Sequence, residues 1–169
     1  VARFSPVTFG EVTEGSFQWY FDGSDVGLRT GGEKIDALDS LPDGRLLLST
    51  IGTASVPYMG HALRVQDEDL PVFTPTALGA TTDGSWELYL DGTSIPGMKR
   101  EDLSGVSVGP TGDIYITLVN SFNIGGISGD GQDILRLQPD GGSYSVSLFR
   151  HGPDDGFALD IGGLDVESD

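Results

Sequence analysis

The chain has 169 residues, with 26 acidic and 9 basic side chains and a formal net charge of −17. This excess of negative charge argues against nucleic acids and anionic membrane surfaces as partners, because both attract positively charged proteins. The chain has no cysteine, which excludes disulfides and thiolate metal sites, and no apolar run is long enough to span a bilayer.

Short apolar runs separated by glycine and proline turns predict an all-β domain. The 26 glycines and 9 prolines suit a protein made of tight turns. A first pair of strands is followed by two sets of four and by one opening strand. In chain order the predicted strands are 1–6 and 16–21; 35–41, 45–51, 69–74 and 85–90; 103–108, 113–119, 133–138 and 145–150; and 161–167.

An internal repeat organises these strands. Residues 1–23 recur at 70–92, a shift of about 69 that is typical of propellers and solenoids. Residues 35–49 match 103–117, and 161–166 form a third, shorter copy. The sequence therefore predicts one repeat-built β domain over 1–169, with a partial blade at 1–30, blades at 31–98 and 99–156, and an opening strand at 157–169.

Strand alternation places aromatic side chains where blades meet. Phe17, Trp19 and Phe21 fall on one face of their strand, and we expect these rings and Trp86 to be buried between blades. The segments 51–67 and 119–131 occupy the same place in successive units and are longer than hairpin loops, so they are predicted to be loops. Such loops are a usual place for binding sites, and a mobile surface loop without a ligand is the alternative.

The turn and strand chemistry carries a family resemblance. Val-Gly-Pro-Thr-Gly-Asp-Ile-Tyr-Ile-Thr at 108–117 resembles a blade of the propellers that include NHL repeats, gluconolactonase-like lactonases and phytase-like esterase domains. Segments at 20–28, 35–38, 46–50 and 67–80 resemble a tandem repeat of large secreted or surface proteins of bacteria. The resemblance implies antiparallel four-stranded β-propeller blades and an extracellular or cell-surface location, but no activity.

The resemblance to the lactonases weakens at the centre of the fold. Those enzymes resemble one another in placing Glu, Asn and Asp around a central divalent ion. The matching positions in this chain do not form such a set; they are Lys34, Asp102 and Asp160, with Asp36, Ser104 and Gly162 two residues further on.

The number of strands predicts an incomplete ring. The chain supplies about two and a half to three blades, whereas closed propellers have about four to eight. We therefore expect a partial propeller that either forms part of a longer chain or is closed by a homo-oligomer. Two copies would make a six-bladed ring with two shared blades. Strand-by-strand addition into a surface filament is a further alternative.

Carboxylates at strand ends and in glycine-containing turns are the predicted metal ligands, with Ca²⁺ as the predicted cofactor. Repeat symmetry brings equivalent strand ends together, which makes Asp36, Asp102 and Asp160 the first candidates. The acidic turns add further oxygens, although Asx turns explain them equally well. These further candidates are Asp22, Asp25, Asp130 and Asp133.

Taken together, the sequence favours a non-enzymatic extracellular module that serves as a binding or assembly scaffold and is stabilised by Ca²⁺. The predicted partners are further copies of the chain or the rest of a longer chain, with a protein or glycan as a further ligand. A calcium-dependent hydrolase of the lactonase or phytase-like esterase type is the alternative. No residue is predicted to be catalytic.

Overall fold

The structure, a computed structural model, describes residues 1–166 and is all-β, with antiparallel pairing throughout its sheets. Single 3-10 turns at Gly23–Val26, Gly31–Glu33 and Gly92–Ser94 are its helical elements. Within the described residues no helix has the length and apolar character needed to cross a membrane. The strands are β1 (Ala2–Thr8), β2 (Glu14–Trp19), β3 (Ile35–Ser40), β4 (Leu46–Thr50), β5 (Ala54–Tyr58), β6 (His61–Val65), β7 (Leu70–Ala77), β8 (Asp83–Leu90), β9 (Leu103–Val108), β10 (Ile114–Leu118), β11 (Phe122–Ile124), β12 (Ile127–Gly129), β13 (Ile134–Asp140) and β14 (Ser143–Arg150).

Two four-stranded sheets correspond to the two complete repeat units. The first sheet has the order β3-β4-β7-β8 and the second has the order β9-β10-β13-β14. The first strands of the two sheets, β3 and β9, lie next to each other. At the start of the chain, β1 and β2 pair with each other and with no other described strand, and they correspond to the last two strands of a unit. We call this two-stranded element the N-terminal hairpin.

The prediction of long loops at 51–67 and 119–131 is wrong. Each segment contains a β-hairpin, β5 with β6 in the first unit and β11 with β12 in the second. The turn residues Met59 and Gly60 have φ values of 46° and 80°, and Gly125 and Gly126 have 59° and 84°. Two successive positive φ values belong to the tight turn that matches strand twist, and the Gly-Gly pair was a readable signal for it.

The predicted strand at 161–167 is not a strand over its described residues, 161–166, and Glu167 lies outside them. Its backbone nevertheless lies along β9 as β9 lies along β3. The Ile161 N–H donates to the Gly131 carbonyl at 2.9 Å, and the equivalent Leu103 N–H donates to the Asp67 carbonyl at 3.3 Å. β3 and β9 become strands by pairing with β4 and β10, and no such partner follows within the described residues.

We call the last two strands of a four-stranded sheet, β7–β8 or β13–β14, its outer hairpin. The repeated Gly-Ser-aromatic motif is explained by close packing inside such a hairpin. Pro75 lies opposite Gly84, and the ring of Phe73 covers that glycine so closely that a methyl group there would lie 2.6 Å from the ring. The N-terminal hairpin repeats this arrangement with Phe4 over Gly15. Glycine is required at both places because no space remains for a side chain.

The core is built where the chain passes from one unit to the next. After its last strand each unit continues into a segment that we call a link segment; the first is 21–28, the second 90–98 and the third 150–159. The first two pack on the unit that follows them. The first contributes Phe21, Val26 and Leu28 to a core with the first sheet. The second contributes Leu90, Ile95 and Met98 to a core with the second sheet. These apolar residues are all buried.

Candidate functional site

A pair of carboxyl groups lies where the first two units meet. Asp36 is an extra residue in β3, because the pairing with β4 shifts register between Ile35 and Ala37. Such a bulge turns a side chain away from the regular alternation. It brings the carboxyl of Asp36 close to that of Asp102, just before β9. Each carboxyl has one buried oxygen, Oδ1, without a hydrogen-bond partner among the described residues.

Both carboxyls of this pair bind protons more tightly than free aspartate. Burial, followed by the negative charge of Asp102, raises the pKa of Asp36 from 3.8 to about 7. Burial, followed by the charge of Asp67, raises the pKa of Asp102. Loss of water around a carboxylate and a like charge beside it both favour the neutral form. Near neutral pH the pair therefore exchanges a proton with the solvent.

The third member of the predicted central set lies elsewhere. Asp160 is exposed and lies against Gly131, at the position that corresponds to Asp102 in the preceding unit. Over residues 1–166 no group of three or more Asp, Glu or His side chains has an arrangement that holds a metal ion. The structure thus brings Asp36 and Asp102 together without completing a ligand set, and Ca²⁺ binding stays a prediction.

The acidic turn at the end of β2 serves the local backbone. Asp22 accepts hydrogen bonds from the N–H and hydroxyl of Ser24, at 3.1 and 2.6 Å, and these bonds lower its pKa. Asp25 accepts the N–H of Thr82 at 2.9 Å and so fastens the first link segment to the turn between β7 and β8. Asp22 thus fills the turn role that was the alternative to metal binding, whereas Asp25 makes a contact between distant parts of the chain.

The acidic turn before β13 is also structural. Asp133 is 4% exposed; its Oδ1 accepts the N–H of Gly152 and its Oδ2 that of Asp130, each at 2.9 Å. Asp69 accepts the equivalent N–H groups of Gly92 and Gln66 at 2.9 and 2.8 Å in the preceding unit. A buried carboxylate thus joins the start of the third strand of each sheet to the end of the fourth. The Asp130 side chain is exposed.

The first link segment covers the outer hairpin of the first sheet. Trp86, on the outer hairpin of the first sheet, donates from Nε1 to the carbonyl of Val26 at 2.9 Å. The ring of Phe21 packs edge-on against those of Phe73 and Trp86, with centroids 5.2 and 6.3 Å apart. The prediction that Phe21 and Trp86 are buried between units is confirmed, because their exposures are 0% and 2%.

The N-terminal hairpin has a corresponding aromatic pair, and no described link segment lies over it. The ring centroids of Phe4 and Phe17 are 4.8 Å apart, as are those of Phe73 and Trp86. Phe17 is 75% exposed and Trp19 is 61% exposed, so the prediction that these two are buried is wrong. Phe21 differs from these two because it lies beyond the end of β2, in the first link segment, and packs on the first sheet.

The other end of the chain has the complementary feature. The third link segment carries Phe157 and Leu159, which are 46% and 82% exposed. The apolar residues of the first two link segments are at most 8% exposed. Together with Phe149 and Leu164, Phe157 lines an open groove of about 510 Å³. Within residues 1–166 the third link segment and the N-terminal hairpin therefore both carry apolar side chains that no other part of the chain covers.

Comparison of the chain with protein-family models, with curated proteins and with solved structures gives no match. The candidate sites are therefore defined by the residues of this chain alone. They are the Asp36–Asp102 pair and the two uncovered apolar surfaces.

Proposed function

We propose that this chain is a non-enzymatic binding and assembly scaffold built from propeller-type blades. The observation that carries the proposal is the aromatic pair of the N-terminal hairpin, in which Phe17 is 75% exposed and Phe4 is half-buried, whereas the counterpart pair in the first sheet is at most 2% exposed. Large exposed apolar patches on soluble proteins mark interaction surfaces. In this proposal the two sheets are blades, and the uncovered surfaces are where further blades join.

The acidic composition and the resemblance to bacterial surface repeats support an extracellular or cell-surface location. A net charge of −17 keeps such a module soluble and slows its association at low ionic strength, because copies repel each other. Ca²⁺ belongs to the proposal as a stabilising ion. The unpartnered oxygens of Asp36 and Asp102 are the atoms that support its binding.

The proposal is tested by the mass of the chain in solution. Light scattering is recorded from about 1 to 100 µM protein in about 0.15 M and 0.5 M NaCl, since salt screens the repulsion between copies. We expect species larger than 17.8 kDa that become more abundant with concentration and salt. A monomer under all of these conditions would contradict assembly. The same series with a chelator shows whether Ca²⁺ contributes.

A calcium-dependent hydrolase is the second candidate, and the Asp36–Asp102 pair is the observation that favours it. A carboxyl with a pKa of about 7 can give and take protons at neutral pH, as a general acid or base must. The test is hydrolysis of simple lactones and phosphate monoesters with Ca²⁺ present. If the wild type hydrolyses a substrate and Asp36→Asn does not, the hydrolase proposal holds and the scaffold proposal is contradicted. If wild type and variant show the same background rate, the scaffold proposal is supported.

A further inference from the structure

We propose that the partner of the N-terminal hairpin is the third link segment of a second copy of this chain, so that copies associate head to tail. The inference rests on the assembly function proposed above and names its contact surfaces. In the joint, Phe157 and Leu159 of one copy pack on Phe4 and Phe17 of the next. The joint is the contact between units that the chain already makes twice within itself.

The first internal contact supplies the geometry. The first link segment lies on the outer hairpin of the first sheet, with Phe21 against Phe73 and Trp86. Its backbone also takes part, because the Val26 carbonyl accepts the Trp86 Nε1–H at 2.9 Å. Phe4 and Phe17 correspond to Phe73 and Trp86 and share their ring separation of 4.8 Å. The N-terminal hairpin therefore presents the kind of surface on which a link segment packs.

The second internal contact shows that the arrangement recurs with different side chains. Ile95 and Met98 of the second link segment are 1% and 0% exposed against the second sheet. Its backbone takes part through a different hairpin of the unit, because the Gly125 N–H in the β11–β12 turn donates to the Pro96 carbonyl at 2.8 Å. The third link segment begins in the same way, with the Gly152 N–H held by Asp133 as Gly92 is held by Asp69. The third link segment therefore presents the kind of surface that packs on a hairpin.

Residues 161–166, which follow the third link segment, lie where the first strand of a next unit would pack beside the hairpin of a second copy. They lie along β9, and the Val166 N–H donates to Ser107 Oγ at 3.0 Å as the Val108 N–H donates to Asp39 at 2.8 Å. The last two strands of that unit are what the hairpin of a second copy supplies. The shared unit lacks one strand, so the joint buries less apolar surface than the internal contacts do.

Head-to-tail pairing uses two different surfaces, and two variants separate it from a two-fold pairing of like surfaces. The hairpin variant carries Phe17→Ser and Trp19→Ser, and the link variant carries Phe157→Ser and Leu159→Ser. These side chains are exposed in the single chain, so both variants are expected to fold, and circular dichroism and melting temperature check this. Each variant keeps one intact half of the joint.

In sedimentation velocity we expect each variant alone to associate at least about 100-fold more weakly than wild type. A mixture of the two should form a one-to-one pair of twice 17.8 kDa, because the intact link segment of one meets the intact hairpin of the other. Wild type that stops at this dimer mass forms a closed ring, and wild type whose mass keeps growing forms an open filament; both are head to tail.

Crosslinking gives an independent readout, because the chain contains no cysteine. With a short bis-maleimide, Phe17→Cys mixed with Leu159→Cys should give a crosslinked pair, whereas neither should crosslink with itself. Val12→Cys, also exposed but at the tip of the hairpin, is the matched control and should crosslink far less. Wild type that associates while one variant self-associates as strongly as wild type overturns the head-to-tail inference alone. Wild type that stays monomeric overturns the assembly function itself.

Discussion

Replacing Asp36 with asparagine should stabilise the protein at alkaline pH. The raised pKa of Asp36 means that the folded chain holds a proton that the unfolded chain releases. The contribution of Asp36 to the free energy of unfolding is therefore largest below its ordinary pKa of 3.8 and falls as the pH rises to about 7. Above that pH the loss of this contribution is constant. The pKa difference corresponds to at most about 4 kcal/mol. Because the carboxyl is only partly buried, water screens the interaction and we expect about 1–2 kcal/mol.

The assay is urea unfolding from pH 4 to pH 8 at constant ionic strength with a chelator present. Asp36→Asn should gain about 1–2 kcal/mol over wild type at pH 8 and much less at pH 4. Asp140→Asn removes the same charge from an exposed position, so it controls for the change in net charge. If the two variants have the same free energy of unfolding at every pH, the carboxyls of Asp36 and Asp102 do not repel each other in the fold and the reasoning is refuted.

Three further predictions concern the carboxylates and the packing. Adding Ca²⁺ at pH 8 should raise the melting temperature of wild type more than that of Asp36→Asn if the carboxyl pair holds the ion, and equal shifts would remove Asp36 from the ligand set. Asp133→Ala should cost about 2–3 kcal/mol in urea unfolding because it leaves the buried N–H of Gly152 unpaired, whereas the exposed Asp130→Ala should cost less than about 0.5 kcal/mol. Gly84→Ala should lower the free energy of unfolding by about 1–3 kcal/mol, because its methyl group overlaps the Phe73 ring and the Thr74 carbonyl. Gly31→Ala is the control, since nothing lies near its added methyl group. Equal melting temperatures of the two variants would contradict the packing argument.

Strand positions were largely predictable from the sequence, because alternation and glycine turns act locally. The predicted strands of both four-stranded units and of the first pair are all present, shifted by a few residues at their ends. The hairpins β5–β6 and β11–β12 were missed for a physical reason. Both segments were predicted to be loops because of their length, whereas each folds into a short hairpin of its own. The β5–β6 hairpin accommodates Pro57 because it pairs with no further strand among the described residues.

The candidate site was predictable in part. Repeat symmetry correctly brought Asp36 and Asp102 together, because both lie at the start of first strands that pack side by side. The same symmetry misplaced Asp160, which lies one unit further on against Gly131. Exposure of Phe17 and Trp19 could not be read from their own strand, since it depends on whether another unit lies over them.

The contact between β3 and β9 differs in one side chain from the contact between β9 and residues 161–166. The difference shows whether this kind of contact needs a charged group. Ser104 is the bulge residue of β9 as Asp36 is of β3, and its hydroxyl donates to the Ile161 carbonyl at 2.9 Å. The second contact is therefore closed by a neutral hydrogen bond, whereas the first holds two carboxyls with unpartnered oxygens. Since this fold closes the contact without charge where serine occupies the bulge, the contact does not require the carboxyl pair for its geometry. The pair makes the contact between the two sheets sensitive to pH near neutrality, because the pKa of Asp36 is raised to about 7.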